Sequence, residues 1–323
     1  MGYIREKPVN TTIILDKNKF LNKENFKMVN LSQLNVYVDE NKLDLIRKSV
    51  LGAKTIGYLN IQSDVVGKTK INLLETEVEF GDGSQCGWDG AGTSTISQRE
   101  INPAPIKVNM SFCDKSMQKY FMNHQITVAA GRSTLPFEEH FIAGVVEQVG
   151  KKLEHAIWNG ITVGGTPYDG LTQIVTNQAA TGSTVYDSVR NLYNGIPAAS
   201  LTDTVIFIGI DGFRSLAGEL TAKNLYHYDP KIDEAFEMVL PGTTTKVIGV
   251  PGLDGSNKAY AINTKHAFYG TDMQNDNETF DFWYSKDNQE FRLAINFVEG
   301  VQVAFPEENS YVVLTAVAGG DEA

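Results

Sequence analysis

The clearest polar and apolar alternation along the chain covers residues 71–80, INLLETEVEF. One face of this segment carries Leu74, Thr76, Val78 and Phe80, and the other carries the glutamates Glu75, Glu77 and Glu79. A period of two residues predicts a β-strand with one apolar face and one acidic face.

A second extended segment follows at residues 96–112, where apolar positions from Ile106 to Phe112 alternate with polar ones. Pro103 and Pro105 cannot donate to a central ladder, which predicts that this part lies at a sheet edge. Between the two segments stands the glycine-rich stretch EFGDGSQCGWDGAGTST. Since glycine adopts positive φ without steric cost, we interpret this stretch as the tip of a long hairpin.

Helical periodicity is strongest after residue 133. Ser133, Thr134 and Pro136 are typical of a helix start. An i, i+4 ladder then runs through Phe137, Phe141, Val145, Val149, Leu153 and Ile157, and Asn159–Gly160 ends it. The pattern predicts one long helix over residues 134–159, with Gly144 and Gly150 allowing bending or close packing.

The rest of the chain predicts a mixed α and β arrangement. Residues 1–30 are polar and poorly patterned, and residues 40–51 place Leu43, Ile46 and Val50 at helical spacing. From residue 163 onward, helical and strand patterns alternate. The last part predicts a meander in which Glu299–Gly300 forms a turn between two strands.

Composition narrows the function classes. The 323 residues carry 28 basic and 39 acidic side chains, a net charge of −11. A nucleic-acid-binding protein usually has a basic face, so we expect this protein to enclose nucleic acid rather than bind it tightly. We expect no membrane span, because no apolar run approaches 18 residues. Cys86 and Cys113 are too few for a zinc cluster.

Tests for familiar chemistry exclude the common sites. Gly67–Lys68–Thr69 lacks the upstream glycine of a phosphate loop. Cys86 stands where a dinucleotide fingerprint needs its third glycine, and Cys86 and Trp88 break the pattern of a calcium loop. The five histidines show no i, i+4 pair. We therefore expect no catalytic residue, no metal and no cofactor.

The order of these parts, together with the amino-acid sequence of several stretches, resembles that of a known family. The stretches are CGWDGAGTSTISQRE with PIKVNMSFCDKSMQKYF, LPFEEHFIAGVVEQVGKKLEHAIWNG, the YDGL that follows, and VIFIGIDGFRSL. They resemble the major capsid proteins of tailed bacteriophages, which have the Hong Kong 97 phage fold. The first pair is most similar to capsid proteins of crAss-like phages.

The resemblance implies an α+β fold with an N-terminal arm, an extended E-loop hairpin, a long spine helix, a peripheral P domain and an inserted axial A domain. The implied boundaries are the arm at 1–50, the E-loop and its base at 51–112, the P domain with the spine helix at 113–162, the A domain at 163–275 and the P-domain C-terminal strands at 276–323.

It also implies a structural subunit, not an enzyme, that self-assembles into hexamers and pentamers of an icosahedral shell around double-stranded DNA. The implied partners are further copies of the chain and scaffolding, portal and decoration proteins, without a membrane. The implied location is the virion, after assembly in the host cytoplasm.

An exposed Trp88 and an isolated hairpin are both unfavourable in water, which favours a hairpin that lies on another subunit. The alternative is a hairpin packed on its own domain. The candidate inter-subunit contact residues are Glu75, Glu77, Glu79, Trp88, Arg99 and Lys107. Three other functions stay open: an encapsulin-like cargo compartment, an accessory virion protein and an unidentified cytosolic enzyme.

Overall fold

A computed structural model describes residues 31–63, 65, 67–80, 92–129, 137–161, 168–223, 236–272 and 279–315. Its α-helices, numbered α1 to α6, are Leu31–Val50, Asp114–Ala129, Phe137–Asn159, Leu171–Ile174, Val185–Asn194 and Ile210–Ala222. Its strands, numbered β1 to β12, are Asn60–Ser63, Thr69–Glu77, Thr93–Ile101, Ala104–Cys113, Thr204–Gly209, Glu237–Val239, Lys246–Val250, Lys258–Asn263, Ala267–Thr271, Thr279–Ser285, Glu290–Val303 and Ser310–Val313.

The larger core lies under a five-stranded sheet of order β1-β9-β11-β10, with β4 also paired to β11. Strand β11 supplies the central row of side chains, because Phe291, Leu293, Ile295 and Phe297 are buried while the residues between them are only half-buried. Helices α1 and α3 contribute the facing apolar side chains to the same core. The predicted alternation in β4 is confirmed, and β4 pairs only with β11 among the described strands.

The predicted turn at Glu299–Gly300 is wrong. Strand β11 runs unbroken for 14 residues, and at Glu299 it pairs with both Ala104 of β4 and Thr271 of β9. Gly300 serves a close approach instead of a turn, since a Cβ atom there would lie 2.9 Å from the Cα atom of Pro103.

The long helix is confirmed as α3, and every member of the predicted ladder from Phe137 to Ile157 is buried. Its predicted start at Ser133–Thr134 lies outside the described residues. Gly150 allows close packing, because its Cβ position would be 3.2 Å from the carbonyl oxygen of Gly52, whereas the Cβ position of Gly144 faces open space.

The N-terminal helix is longer than the sequence indicated. It begins at Leu31, not near residue 40, and its buried side chains include Leu34, Val38 and Leu45. Leu43, which the pattern placed on the buried stripe, is 84% exposed. The many polar residues between the apolar ones hid this periodicity.

A second five-stranded sheet has the order β12-β8-β5-β7-β6 and forms the core of the inserted lobe with α5 and α6. Two strands belong to a different sheet from the one that the predicted domain boundaries imply. Strand β9 belongs to the first sheet, and the C-terminal strand β12 joins the lobe by pairing with β8. The domain division itself stays a prediction.

Candidate functional site

The predicted hairpin is present as a separate two-stranded sheet, but its second arm ends at Ile101, and the later part of the predicted segment 96–112 is strand β4 of the first sheet. Strands β2 and β3 pair antiparallel from Thr69 opposite Ile101 to Glu77 opposite Thr93. The glycine-rich tip at residues 81–91 lies outside the described residues, so its conformation stays a prediction.

The base of the hairpin is anchored by a small apolar cluster. Ile71, Leu73 and Ile101 are buried together with Val65 and Ala304. The Gln302 side chain also donates a hydrogen bond of 2.9 Å to the carbonyl oxygen of Glu100. These contacts fix where the ribbon leaves the body of the subunit.

Beyond the base, one face of the hairpin has no cover from the residues that the structure describes. Leu74 and Ile96 are directly opposite each other and are 65% and 73% exposed. Val78 and Phe80 continue the alternation past the end of β2, and Phe80 is 99% exposed. We call Leu74, Val78, Phe80 and Ile96 the apolar stripe.

Polar pairs on the same face hold the register of the ribbon. The Gln98 amide donates to Oδ1 of Asn72 at 2.9 Å, and the hydroxyls of Thr76 and Ser94 lie 3.4 Å apart. A two-stranded ribbon is marginal alone in water, and a contiguous exposed apolar patch commonly marks a protein contact. The arrangement therefore suits binding of the stripe to another protein surface.

The sequence-predicted contact residues do not form one cluster. Glu75 and Glu77 pair with Thr95 and Thr93 through the backbone, and their side chains lie outside the described part of the chain, as does all of Trp88. Glu79 is exposed just after β2.

The two basic candidates lie in different places. Arg99 is half-buried on β3 and lines a groove with Gln302 and Glu307 at the hairpin base. Lys107 is exposed on β4, opposite Asn296 of β11, and therefore belongs to the first sheet. Whether any of the candidate residues contacts another subunit stays a prediction.

Sequence reasoning placed three members of the stripe, Leu74, Val78 and Phe80, on one face but did not select them as contact candidates. The missing information is which face of the ribbon the rest of the subunit covers. That depends on the anchoring cluster at Val65 and Ala304, which is distant in sequence from the hairpin.

The outer face of the first sheet forms a second feature of the surface. A shallow groove of about 440 Å³ is lined by polar and aromatic side chains of β4, β10 and β11, including Lys107, Asn109, Trp283, Arg292 and Asn296. Arg292 is held by Glu290 through two contacts of 2.9 Å. This face is mainly polar, in contrast to the apolar stripe.

A third feature lies between α3 and the lobe, where a groove of about 810 Å³ is lined by Lys54, Tyr58, Glu237 and the Gly52–Gly150 contact. Burial lowers the pKa of Lys54, and the nearby Glu237 and Glu154 carboxylates oppose that change. Burial and the hydrogen bond to Glu237 raise the pKa of Tyr58. The Lys54 ammonium donates to the carbonyl oxygen of Gly249 at 3.0 Å, so it joins the segment after α1 to the lobe.

A buried polar cluster ties the same regions together. Glu154 of α3 accepts hydrogen bonds from the backbone and hydroxyl of Thr55, and the Trp158 indole donates to the Thr55 hydroxyl at 2.8 Å. All three side chains are buried. Because each polar group has a partner, the cluster acts as a rigid connection between α3 and the segment after α1.

The described residues contain no group of three or more side chains suited to hold a metal ion. Within the same residues, no helix is both long enough and apolar enough to cross a bilayer.

Comparison by sequence gives no result, since no family model and no curated protein matches the chain. Comparison by structure gives many matches. A chain of the satellite phage P4 procapsid, solved with its size determination (Sid) protein, has a TM-score of 0.58 at 9% identity and covers 88% of this chain and 96% of that chain. A chain of Gordonia phage Cozz has a TM-score of 0.57 at 9% identity and covers 80% and 85%, respectively.

The SrpI encapsulin of Synechococcus elongatus PCC 7942 is similar as well, with a TM-score of 0.50 at 10% identity and coverage of 83% of this chain and 89% of that chain. The predicted fold class is therefore confirmed: the chain has the α+β Hong Kong 97-type fold of phage capsid proteins and encapsulins.

Proposed function

We propose that this chain is the major capsid protein of a tailed bacteriophage, a structural subunit without catalytic activity. Copies assemble into hexamers and pentamers that form an icosahedral shell. The observation that carries this proposal is the apolar stripe, an uncovered face on a ribbon that leaves the body of a subunit with a capsid fold.

The energetics of the hairpin support assembly. Burying a Leu or Ile side chain stabilises a contact by about 1.5–3 kcal/mol, whereas leaving the stripe in water gains nothing. Ordering and association costs remove much of this free energy. In a closed symmetric shell the same contact is repeated by every copy, so weak individual contacts give a stable particle.

The charge of the subunit supports enclosure of nucleic acid without sequence-specific binding. The net charge of −11 opposes close contact with phosphate groups. We therefore propose that packaged double-stranded DNA fills the shell and that the protein does not read its sequence.

The proposed partners are other copies of the chain together with scaffolding, portal and decoration proteins. The proposed location is the virion, with assembly in the host cytoplasm. We place the protein among the capsid proteins of crAss-like phages, which rests on the stretches CGWDGAGTSTISQRE and PIKVNMSFCDKSMQKYF. The division into N-terminal arm, E-loop, P domain and A domain belongs to the same proposal.

An encapsulin-like compartment is the second candidate, and the similarity to the SrpI encapsulin favours it. The two candidates predict the same assembly chemistry and differ in content. Particles from infected cells that hold DNA support the phage capsid, and particles that hold a co-purifying protein cargo support the compartment.

Sedimentation velocity of the purified chain, followed by negative-stain microscopy, tests the proposal. The measurements are made from low to high salt concentration, with and without a crowding agent. We expect closed shells, or rings of five and six subunits. A chain that stays monomeric under every condition, and also when it is co-expressed with its scaffolding protein, contradicts the proposal.

A further inference from the structure

A carboxyl group with no charged partner among the described residues lies in the core of the subunit. Glu299 is fully buried at the position where β11 pairs with β4 through Ala104 and with β9 through Thr271. Its Oε1 atom accepts a hydrogen bond of 2.7 Å from the Tyr168 hydroxyl. Its Oε2 atom lies 3.0 Å from the Tyr269 hydroxyl, which in turn lies 3.3 Å from the carbonyl oxygen of Val50.

These contacts connect three separate parts of the chain. Val50 is the last residue of α1, Tyr269 belongs to β9, and Tyr168 precedes α4. The carbonyl groups in the last turn of a helix have no donor within the helix. Tyr269 therefore offers the end of α1 a hydrogen bond that the helix itself does not supply.

Counting protons shows that the network has two states. A tyrosine hydroxyl has one proton to donate, and Tyr269 faces two acceptors, Val50 O and Glu299 Oε2. If Glu299 is protonated on Oε2, that proton goes to the Tyr269 oxygen, and the Tyr269 proton goes to Val50. If Glu299 is ionised, both tyrosines donate to the carboxylate, and the bond to Val50 is lost.

The surroundings favour the protonated state. Among the described residues, no basic side chain acts on the Glu299 carboxyl, and the groups facing it are Tyr168 and Tyr269. A second buried carboxyl, Asp272, comes one residue after Thr271, which pairs with Glu299 across the ladder. The adjoining segments 162–167 and 273–278 contain no Lys, Arg or His.

Burial raises the pKa of the Glu299 carboxyl to about 8, and the hydrogen bonds from Tyr168 and Tyr269 oppose part of that rise. Burial, and after it the Glu299 charge, also raises the pKa of Tyr168, which therefore stays a donor. At neutral pH the folded subunit accordingly holds the proton on Glu299.

We propose that Glu299, Tyr168 and Tyr269 form a proton-dependent lock that fixes the end of α1 and the start of the inserted lobe to the first sheet. The lock is closed when Glu299 is protonated, and ionisation releases α1 from Tyr269. It is a property of the folded subunit and does not depend on the proposed function.

The direction of the pH effect follows from the proton count. The folded state holds the Glu299 proton to higher pH than the unfolded state does, so the stabilisation is complete below the unfolded pKa of about 4.5 and is lost as pH rises to about 8. Glu299→Gln keeps the shape of the protonated side chain and cannot ionise. The folded-to-unfolded ratio of the wild type should therefore fall relative to Glu299→Gln, by up to about tenfold per pH unit between those values.

Urea denaturation of the full chain as a function of pH measures this ratio. Glu290→Gln is the matched control, because Glu290 lies on the same strand but pairs with Arg292. We expect the Glu290→Gln profile to run parallel to the wild type and the Glu299→Gln profile to diverge with rising pH. Parallel profiles for all three proteins overturn the proposal.

Infrared spectroscopy of the wild type provides a test that does not need a folded variant. The carbonyl stretch of a buried protonated carboxyl should be present at about pH 6 and disappear above about pH 8. Over the same range, hydrogen exchange at the end of α1, corrected for intrinsic rates, should accelerate. In Tyr269→Phe this exchange should be fast at every pH. The absence of a titrating carboxyl band, or exchange at α1 that does not follow it, contradicts the lock.

Discussion

Leu74 of β2 and Ile96 of β3 lie directly opposite each other on the hairpin, and both side chains are mostly exposed. Cross-strand apolar pairs normally stabilise a sheet when that face is covered. Here the ribbon keeps its register through Asn72 and Gln98 on the same face, while no residue in the described part of the chain covers the apolar pair. We therefore expect the pair to contribute mainly to association between subunits.

Leu74→Asp should abolish assembly and leave the fold intact. The change removes about 2 kcal/mol of apolar burial from each contact, which lowers the association constant about 30-fold before the cost of burying the new charge. Because the side chain is exposed in the subunit, the free energy of unfolding should change by less than about 0.5 kcal/mol. Sedimentation velocity and urea denaturation measure the two effects.

The control for this variant is Asn72→Asp, which adds the same charge to the same face. An aspartate at this position still accepts the hydrogen bond from Gln98. We expect Asn72→Asp to assemble. If both variants assemble as the wild type does, the apolar stripe is not an assembly surface.

Replacement of the two glycines of α3 with alanine should change the stability of the subunit in different ways. Gly144→Ala should stabilise the subunit by up to about 1 kcal/mol, because its Cβ position is open and alanine favours helix. Gly150→Ala should lose this gain, since its Cβ would press on the backbone of Gly52. Thermal unfolding of both variants checks the prediction, and equal stabilities would show that α1 moves away from α3 without cost.

Thr55→Val should destabilise the connection between α3 and the segment after α1. The change removes the buried hydroxyl that donates to Glu154 and accepts from the Trp158 indole, and loss of these bonds costs about 1–3 kcal/mol, although Glu154 keeps the bond from the backbone N–H of residue 55 and the indole can still reach Glu154 Oε1 at 3.3 Å. Thr221→Val is the control, because the exposed Thr221 hydroxyl bonds only the carbonyl oxygen of Ala217 in its own helix. A urea midpoint of Thr55→Val equal to that of the control would mean that the buried cluster contributes no stability.

The sequence predicted the parts of the fold that depend on local periodicity. The α3 ladder from Phe137 to Ile157 and the pairing of β2 with β3 are both readable from the spacing of apolar residues. The unbroken course of β11 was not readable, because Glu299–Gly300 has the composition of a turn. Gly300 is needed instead because the backbone of Pro103, almost 200 residues earlier in the chain, lies too close for a side chain.

The candidate site was predictable only in part, for a similar reason. Alternation predicted an apolar and an acidic face on residues 71–80, but only tertiary packing decides which face stays open. Glu154 and Glu299 gave no sequence signal at all, since their partners Thr55, Tyr168 and Tyr269 are 30 or more residues away.

That the hairpin of one copy lies on another copy is tested most directly by cross-linking assembled particles made from a mixture of isotope-labelled and unlabelled subunits. Lys68 and Lys70 at the hairpin base are available for lysine-specific reagents. We predict cross-links from these lysines that join a labelled peptide to an unlabelled one. Hairpin cross-links found only between peptides of the same label would show that the hairpin packs on its own subunit and would contradict the proposed mode of assembly.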